Sequence, residues 1–259
     1  IIMFIPDASN SSNETIFWFV SIICAFLVGF SKNGIAGVGT LVIPIMANLF
    51  KSKESTGILL PMLIIGDFIA IYTYRKHGEW KHVFRALPWT IPGILAGWLM
   101  MANPHLSQDF FRKFIGIVMF LVIIGGEFLE WYKSKGLLTN LPSSFFFSAF
   151  FGILGGFTTM TANAAGPVFA VYLLQIGLPK ENFIGTTAKI FLVLNLFKVP
   201  FSINLGLIRS DSLAYNFILL PVILIGAYVG YNSAKKIAQK KFNLIIKLLA
   251  VLACLKLIV

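Results

Sequence analysis

The sequence predicts an all-α, polytopic membrane protein made of two inverted structural repeats, each a broken or re-entrant helix pair plus three transmembrane helices. Three observations predict it. Apolar residues make up 58% of the 259-residue chain and charged residues only 12%, with a mean hydropathy of +0.86. A soluble domain carries about 25% charged and roughly 45–50% apolar residues, so the surplus here needs lipid as its solvent. Long apolar runs follow one another with short gaps, and the order of long, short and broken runs occurs twice.

The first half opens with the run Ile16–Phe30. A polar break, Ser31-Lys32-Asn33-Gly34, separates it from the short run Val38–Phe50. Runs of near-spanning length follow at Thr56–Tyr74, Val83–Met101 and Phe114–Phe128. The second half opens with Ser143–Phe157, then a break at Thr158-Thr159-Met160-Thr161-Ala162-Asn163, then the short run Ala164–Ile176. Long runs follow at Phe183–Phe201, Leu213–Tyr231 and Phe242–Val259. A helix rises ~1.5 Å per residue and needs ~20 residues to cross the hydrocarbon layer. The pieces flanking each break are short for that, so each break is expected to join two helical pieces inside the membrane.

One constant shift lays Gly29-Phe30 on Gly156-Phe157, Gly39 on Gly166 and Lys53-Glu54 on Lys180-Glu181. A small insertion then lays Pro92 and Gly97 on Pro221 and Gly226. The repeats are placed at residues 14–131 and 143–259, within a single membrane domain. Their mutual orientation follows from charge. With each broken segment entering and leaving on a single side and the second half inverted, one side of the membrane receives few basic residues: Lys51, Lys53, Arg112, Lys113, Arg209 and Lys256. The other side collects Arg75, Lys76, Lys81, Arg85, Lys133, Lys135, Lys180 and the Lys235, Lys236, Lys240, Lys241 group. With each broken segment crossing once, the same residues divide almost evenly. Only the first arrangement obeys the positive-inside rule. It makes the repeats inverted, the basic loops cytoplasmic and the N-terminus external.

The net charge of +11 does not indicate a nucleic-acid partner, because the basic residues are spread over short gaps rather than gathered on a face. Asp7 and Glu14 precede the first run, where a secretory signal would carry Lys or Arg. Cys24 and Cys254 lie within apolar runs and read as packing residues. His77, His82 and His105 fall in predicted loops, and neither they nor the cysteines have metal-ligand spacing, so no metal or cofactor is expected. The chain has no H-E-x-x-H and no G-x-S-x-G, and no histidine at membrane depth, which argues against an intramembrane enzyme. A channel would want a continuous polar stripe or a charged ring.

Polar backbone at membrane depth is tolerated only where protein or a cavity covers it. Each break also exposes the N-terminal end of the following helical piece, near Gly37–Thr40 and near Asn163–Gly166. Such ends offer free N–H groups and partial positive charge, which suit anions. The candidate substrate contacts are therefore Lys32, Asn33, Gly39 and Thr40 in the first half, and Thr158, Thr159, Thr161 and Asn163 in the second. The threonines serve equally well as helix caps and gap fillers. Lys32 reads as functional, because a charge in the membrane costs about 2.5–3.5 kcal/mol or more.

Three further charges sit inside apolar runs. Asp67 lies in Thr56–Tyr74, and Lys189 and Lys198 lie in the matching run Phe183–Phe201, with Asn195 between them. Asn195 and Lys198 share a helix face, while Lys189 points nearly opposite to Lys198. Asp67 falls one residue from the counterpart of Asn195, so the two runs can meet at the pseudo-symmetry axis. One reading is a structural Asp67–Lys198 ion pair. The other assigns Asp67 to a coupling proton or sodium ion and Lys189, Asn195 and Lys198 to the substrate.

These residues also carry a resemblance. The segment Thr161-Ala-Asn-Ala-Ala-Gly-Pro-Val-Phe-Ala-Val-Tyr-Leu-Leu, then Gly177-Leu-Pro-Lys-Glu-Asn-Phe-Ile-Gly-Thr-Thr-Ala-Lys and Leu194-Asn-Leu-Phe-Lys-Val-Pro-Phe, resembles the sulfite exporter TauE/SafE family, also called the toluene sulfonate uptake permease family. Gly29-Phe-Ser-Lys-Asn-Gly, Asp67, Tyr74-Arg75 and Trp80 extend the likeness through the first half. The chain departs from it at Ile35-Ala36, where members are often richer in glycine. The resemblance implies a carrier in the bacterial inner membrane for sulfite, sulfonates or related small organic anions, and includes both exporters and presumed importers.

Overall fold

The computed structural model of the chain describes residues 11–35, 37–50, 52–102 and 145–258, together with helical positions 117, 120, 124, 125 and 128. Most of the run expected at Phe114–Phe128, and with it His105, Arg112, Lys113, Lys133 and Lys135, lies outside the described residues. Among the described residues all regular secondary structure is helical. Helix α1 spans Ser11–Asn33, a 3-10 turn covers Val38–Leu41, and α2 continues as Val42–Leu49. Next come α3 (Ser52–Thr73) and α4 (Trp80–Ala102). The second half holds α5 (Phe145–Ala162), α6 (Ala165–Ile176), α7 (Lys180–Asn204), α8 (Ser210–Lys236) and α9 (Gln239–Ile258). Six helices, α1, α3, α4, α5, α7 and α8, are long and apolar enough to cross a membrane. Large apolar side chains are exposed around the bundle, among them Phe146 (81%), Phe217 (75%) and Tyr228 (71%). Lipid covers such side chains in a polytopic membrane protein, which this chain is.

The breaks are narrower than the sequence suggests. Lys32 and Asn33 belong to the last turn of α1, and Thr158, Thr159 and Thr161 to the last turns of α5. The first pieces are accordingly long enough to span, at 23 and 18 residues. The polar side chains stay helical because they bond backward: Thr158 Oγ1 donates to the Leu154 carbonyl, Thr161 Oγ1 to that of Phe157, and Asn33 Nδ2 to that of Gly29. α5 ends where the backbone turns left-handed, at Asn163 (φ 53°), and in the first half Gly37 (φ 101°) turns left-handed at the start of the 3-10 turn. Asparagine and glycine tolerate that conformation best. His82 also departs from its expected loop position. It sits in the first turn of α4, with Nε2 3.2 Å from Glu79 Oε2.

Two helix pairs cross between the halves. α1 runs alongside α8 and α5 alongside α4, both pairs parallel. Glycine makes these contacts backbone to backbone. A Cβ on Gly29 would collide with the Ile223 carbonyl, and one on Gly226 with that of Phe26. In the other pair, Gly156 rests on the Thr90 carbonyl and Gly93 on that of Ile153. Gly93-x3-Gly97 of α4 and Gly226-x3-Gly230 of α8 thus do the same work, letting helices approach closely. The packing matches Gly93 with Gly226, one helical turn away from the sequence register that laid Pro92 on Pro221. The glycines set the register because they carry the contact, whereas the prolines do not.

α3 and α7 run antiparallel through the centre. Gly57 near the start of α3 lies on Leu207 just beyond α7, and Gly78 just beyond α3 lies on Gly185 near the start of α7. α7 is the most enclosed span, 61% buried against 44% for α3 and 33% for α4. Asp67 of α3 and Asn195 and Lys198 of α7 lie along this crossing.

The glycine contacts yield a stability prediction. Gly226→Val is expected to lower stability by about 1–3 kcal/mol, because the Phe26 backbone cannot yield to the added side chain. Leu224→Ala, at a lipid-facing position on the same helix, is expected to change little. Thermal unfolding of the two variants in the same detergent measures the difference.

Candidate functional site

The ends of the two broken segments meet across the α3–α7 crossing. Lys32, in the last turn of α1, places its Nζ 2.7 Å from Asp67 Oδ1 of α3. The other carboxylate oxygen, Oδ2, accepts from Asn195 Nδ2 of α7 at 2.7 Å. Asp67 is fully buried and the Lys32 side chain only 11% exposed. The ion pair thus belongs to Lys32, and the sequence alternative of an Asp67–Lys198 pair is not realised. The expected meeting of Asp67 with Asn195 is.

Lys198 turns instead to the second break. Its ammonium donates to the Thr159 carbonyl at 3.0 Å, to Thr159 Oγ1 at 3.1 Å and to Asn163 Oδ1. These acceptors use up its donors. Asn163 Nδ2 in turn donates to the Thr56 carbonyl of α3 at 3.0 Å. Each break is therefore tied to the long helix of its own half by one lysine, contributed by the break in the first half and by the long helix in the second. Lys32, Asp67 and Lys198 together carry a formal charge of +1.

Between the breaks lies a cavity of about 60 Å³. By the measure in which one water needs about 10–15 Å³, it has room for roughly four water-sized groups. Lys32, Thr159, Asn163 and Asn195 are among its polar lining, and Leu59, Leu63, Phe183 and Phe191 among its apolar lining. Gly37 and Gly39 at the start of the 3-10 turn, and Gly166 in the first turn of α6, also line it. Both second helical pieces thus begin at one space, the arrangement that turns helix N-termini toward an anion. The Phe191 ring covers Lys32, with Nζ 4.3 Å from the ring centroid. The arrangement offers one partly committed cation, neutral polar groups and helix N-termini. Asp67, the carboxylate of the cluster, does not line the cavity; it is held behind Lys32.

The structure brings Lys32, Gly39, Thr159, Asn163 and Asn195 to this cavity and leaves the other candidates elsewhere. Thr158 and Thr161 bond back into α5. Asn33 bonds back to Gly29, and its own carbonyl accepts from Tyr74 Oη at 2.8 Å. The Thr40 side chain lies outside the described residues, although its backbone is in the 3-10 turn. Lys189 lies away from the cavity. Its ammonium donates to the His77 and Gly78 carbonyls at 3.2 and 3.0 Å and stands 5.1 Å from the Trp80 ring centroid. With Glu79 N–H donating to Thr186 Oγ1 at 2.8 Å, it clasps the α3–α4 turn onto α7. Sequence reasoning missed Phe191, which nothing distinguishes among the 26 phenylalanines of the chain. Among the described residues no group of His, Cys, Asp and Glu could hold a metal ion.

Comparison with curated proteins and with solved structures finds no match. The family model described as "Sulfite exporter TauE/SafE" matches residues 21–257, nearly the whole chain, including both breaks and the cavity between them. This polytopic protein, with a small polar cavity between two broken helices, belongs to the sulfite exporter TauE/SafE family of membrane transporters.

Proposed function

We propose that the protein is a secondary carrier of a small anion, with sulfite or a small organosulfonate as substrate, working in the bacterial inner membrane. The observation that carries this reading is the cavity where Lys32 and the two opposed helix N-termini converge. A cluster with a formal charge of +1 at membrane depth is relieved by one bound anion. The parallel α1–α8 and α5–α4 pairs and the antiparallel α3–α7 crossing favour inverted repeats at residues 14–131 and 143–259. Inverted repeats with a midplane site suit alternating access by rocking one repeat against the other. The charge bias of the loops favours a cytoplasmic basic face and an external N-terminus.

Asp67 is the candidate coupling group. It shares the Lys32 ammonium with any anion in the cavity, so a proton on Asp67 would leave Lys32 free for the substrate, and each event would favour the other. A membrane potential, negative inside, drives a monoanion outward by about 2.3 kcal/mol per 100 mV. Export would run with little coupling; uptake would need a proton or sodium ion, for which Asp67 is the candidate carrier. The second reading is a carrier for another small oxyanion or a carboxylate, favoured by the cavity holding no group selective for sulfur. An anion channel is the weaker alternative, because the polar groups gather at one small cavity.

Two outcomes are expected. Sulfite should raise the melting temperature of the purified protein, and Lys32→Ala should weaken that binding by about 10–100-fold, the loss of one charged hydrogen bond. Lys32→Ala combined with Asp67→Asn removes the buried unpaired carboxylate and controls for misfolding. Stabilisation by acetate but not by sulfite, taurine or sulfoacetate would favour the second reading, and equal stabilisation of both forms would remove Lys32 from the site. For coupling, counterflow of methanesulfonate, which stays a monoanion across the range, should quicken as pH falls in the wild type. Asp67→Asn should flatten that dependence; an unchanged rate and profile would exclude Asp67 from coupling. Saturable counterflow also separates a carrier from a channel.

A further inference from the structure

Phe191 both lines the cavity and touches its cation. The ring lies over Lys32 Nζ at 4.3 Å, so the ammonium has both the Asp67 carboxylate and an aromatic face as neighbours. A cation over an aromatic face is attracted to it, so the ring and the ammonium hold each other in place. The ring is also fixed from behind. Phe169 of α6 meets it edge to face, with centroids 5.7 Å apart and planes at 88°. Phe169 is fully buried, packs at 84° against Tyr172, and lies so close to Gly155 that a Cβ there would stand 2.5 Å from its Cε2. Phe169 is not part of the cavity wall. A close-packed aromatic row thus runs from Gly155 through Phe169 and Phe191 to Lys32. Rows of this kind resist displacement because every ring has neighbours on each side.

We infer that Phe191 is the size filter of the anion site: its immobilised ring caps the space beside Lys32 and restricts the substrate to an oxyanion with little or no organic tail. The inference rests on the anion reading of this cavity. The space of about 60 Å³ matches sulfite or methanesulfonate, each about the bulk of a few waters, and is well below the roughly 150 Å³ of a cavity that takes benzene. Leu59 and Leu63 are aliphatic, and the other lining ring, Phe183, packs edge to face on Phe242, centroids 5.5 Å apart; Phe191 is the lining ring that lies over the Lys32 ammonium. Phe169 acts as a positioning residue, holding the Phe191 ring without meeting the substrate.

The test uses sulfonates of one charge and growing tail: methanesulfonate, ethanesulfonate and benzenesulfonate, scored by thermal stabilisation of the purified full chain. The wild type should bind methanesulfonate and not benzenesulfonate. Phe191→Ala leaves a space shaped like the tail of benzenesulfonate beside Lys32. It should raise the benzenesulfonate to methanesulfonate affinity ratio by at least about tenfold, the lower bound for contacts of this size. Phe191→Leu, a gentler change, should raise the ratio less, and Phe169→Leu should raise it without altering the cavity wall. Adding Lys32→Ala to Phe191→Ala should abolish binding of both ligands. Equal binding of methanesulfonate and benzenesulfonate by the wild type would overturn the filter, as would an unchanged ratio in both Phe191 variants. Failure of every sulfonate and of sulfite to stabilise the wild type would overturn the anion reading itself, and the filter with it.

Discussion

A buried carboxylate held between an ammonium and an amide ties the middle of this molecule together. Asp67 engages Lys32 of the first break with one oxygen and Asn195 of the opposite half with the other. Removing either partner from a buried ion pair leaves a charge that lipid cannot solvate, at a cost of about 3–5 kcal/mol. The contact therefore fixes where α1 ends, how α3 crosses α7 and where the Lys32 ammonium stands. Lys198 performs the reciprocal service for the second break through Thr159 and Asn163. The chemistry is distributed unevenly between the halves, and that unevenness leaves the cluster one positive charge in excess.

The close packing of the scaffold serves this centre. Lipid gives helices no hydrophobic reason to associate, so contact area and backbone approach must do so. Gly29, Gly226 and Gly230 on one side, and Gly93, Gly97 and Gly156 on the other, bring α1 onto α8 and α5 onto α4 at backbone distance. Each of these pairs joins an outer helix of one half to a broken helix of the other. A break and its partner helix therefore form one packed unit drawn from both halves. The clasp of Lys189, Thr186 and the α3–α4 turn sits at one end of the α3–α7 crossing. At the other end, Gly57 meets Leu207, and Asn163 bonds to Thr56 close by.

The sequence exposed much of the site because charges and breaks inside apolar runs are conspicuous. Lys32, Asp67, Asn195 and Lys198 stand out by their polarity alone, and Gly39, Thr159 and Asn163 by their place in or beside a break. Other assignments were beyond reach. Threonine at a helix end can line a cavity or bond to its own backbone, and only the conformation separates Thr159 from Thr158 and Thr161. Lys189 and Lys198 have the same residue type on the same helix. Their different fates, one clasping a turn and one pinning a break, depend on what α7 packs against on each face.

The sequence by itself determined the solvent, the number and order of the apolar runs, the positions of the breaks within a turn or two, and the residues whose charge demands a partner. These follow from hydropathy, chain geometry and desolvation, which act residue by residue. The tertiary structure alone decided which partner each charge took, the register of the glycine contacts and the shape of the cavity. Asp67 had two lysines within plausible reach, and the choice between them rests on ångström-scale distances set by helix crossing. Phe191 owes its position to rings and glycines distant in the chain, and a contact of that kind leaves no mark on the local sequence.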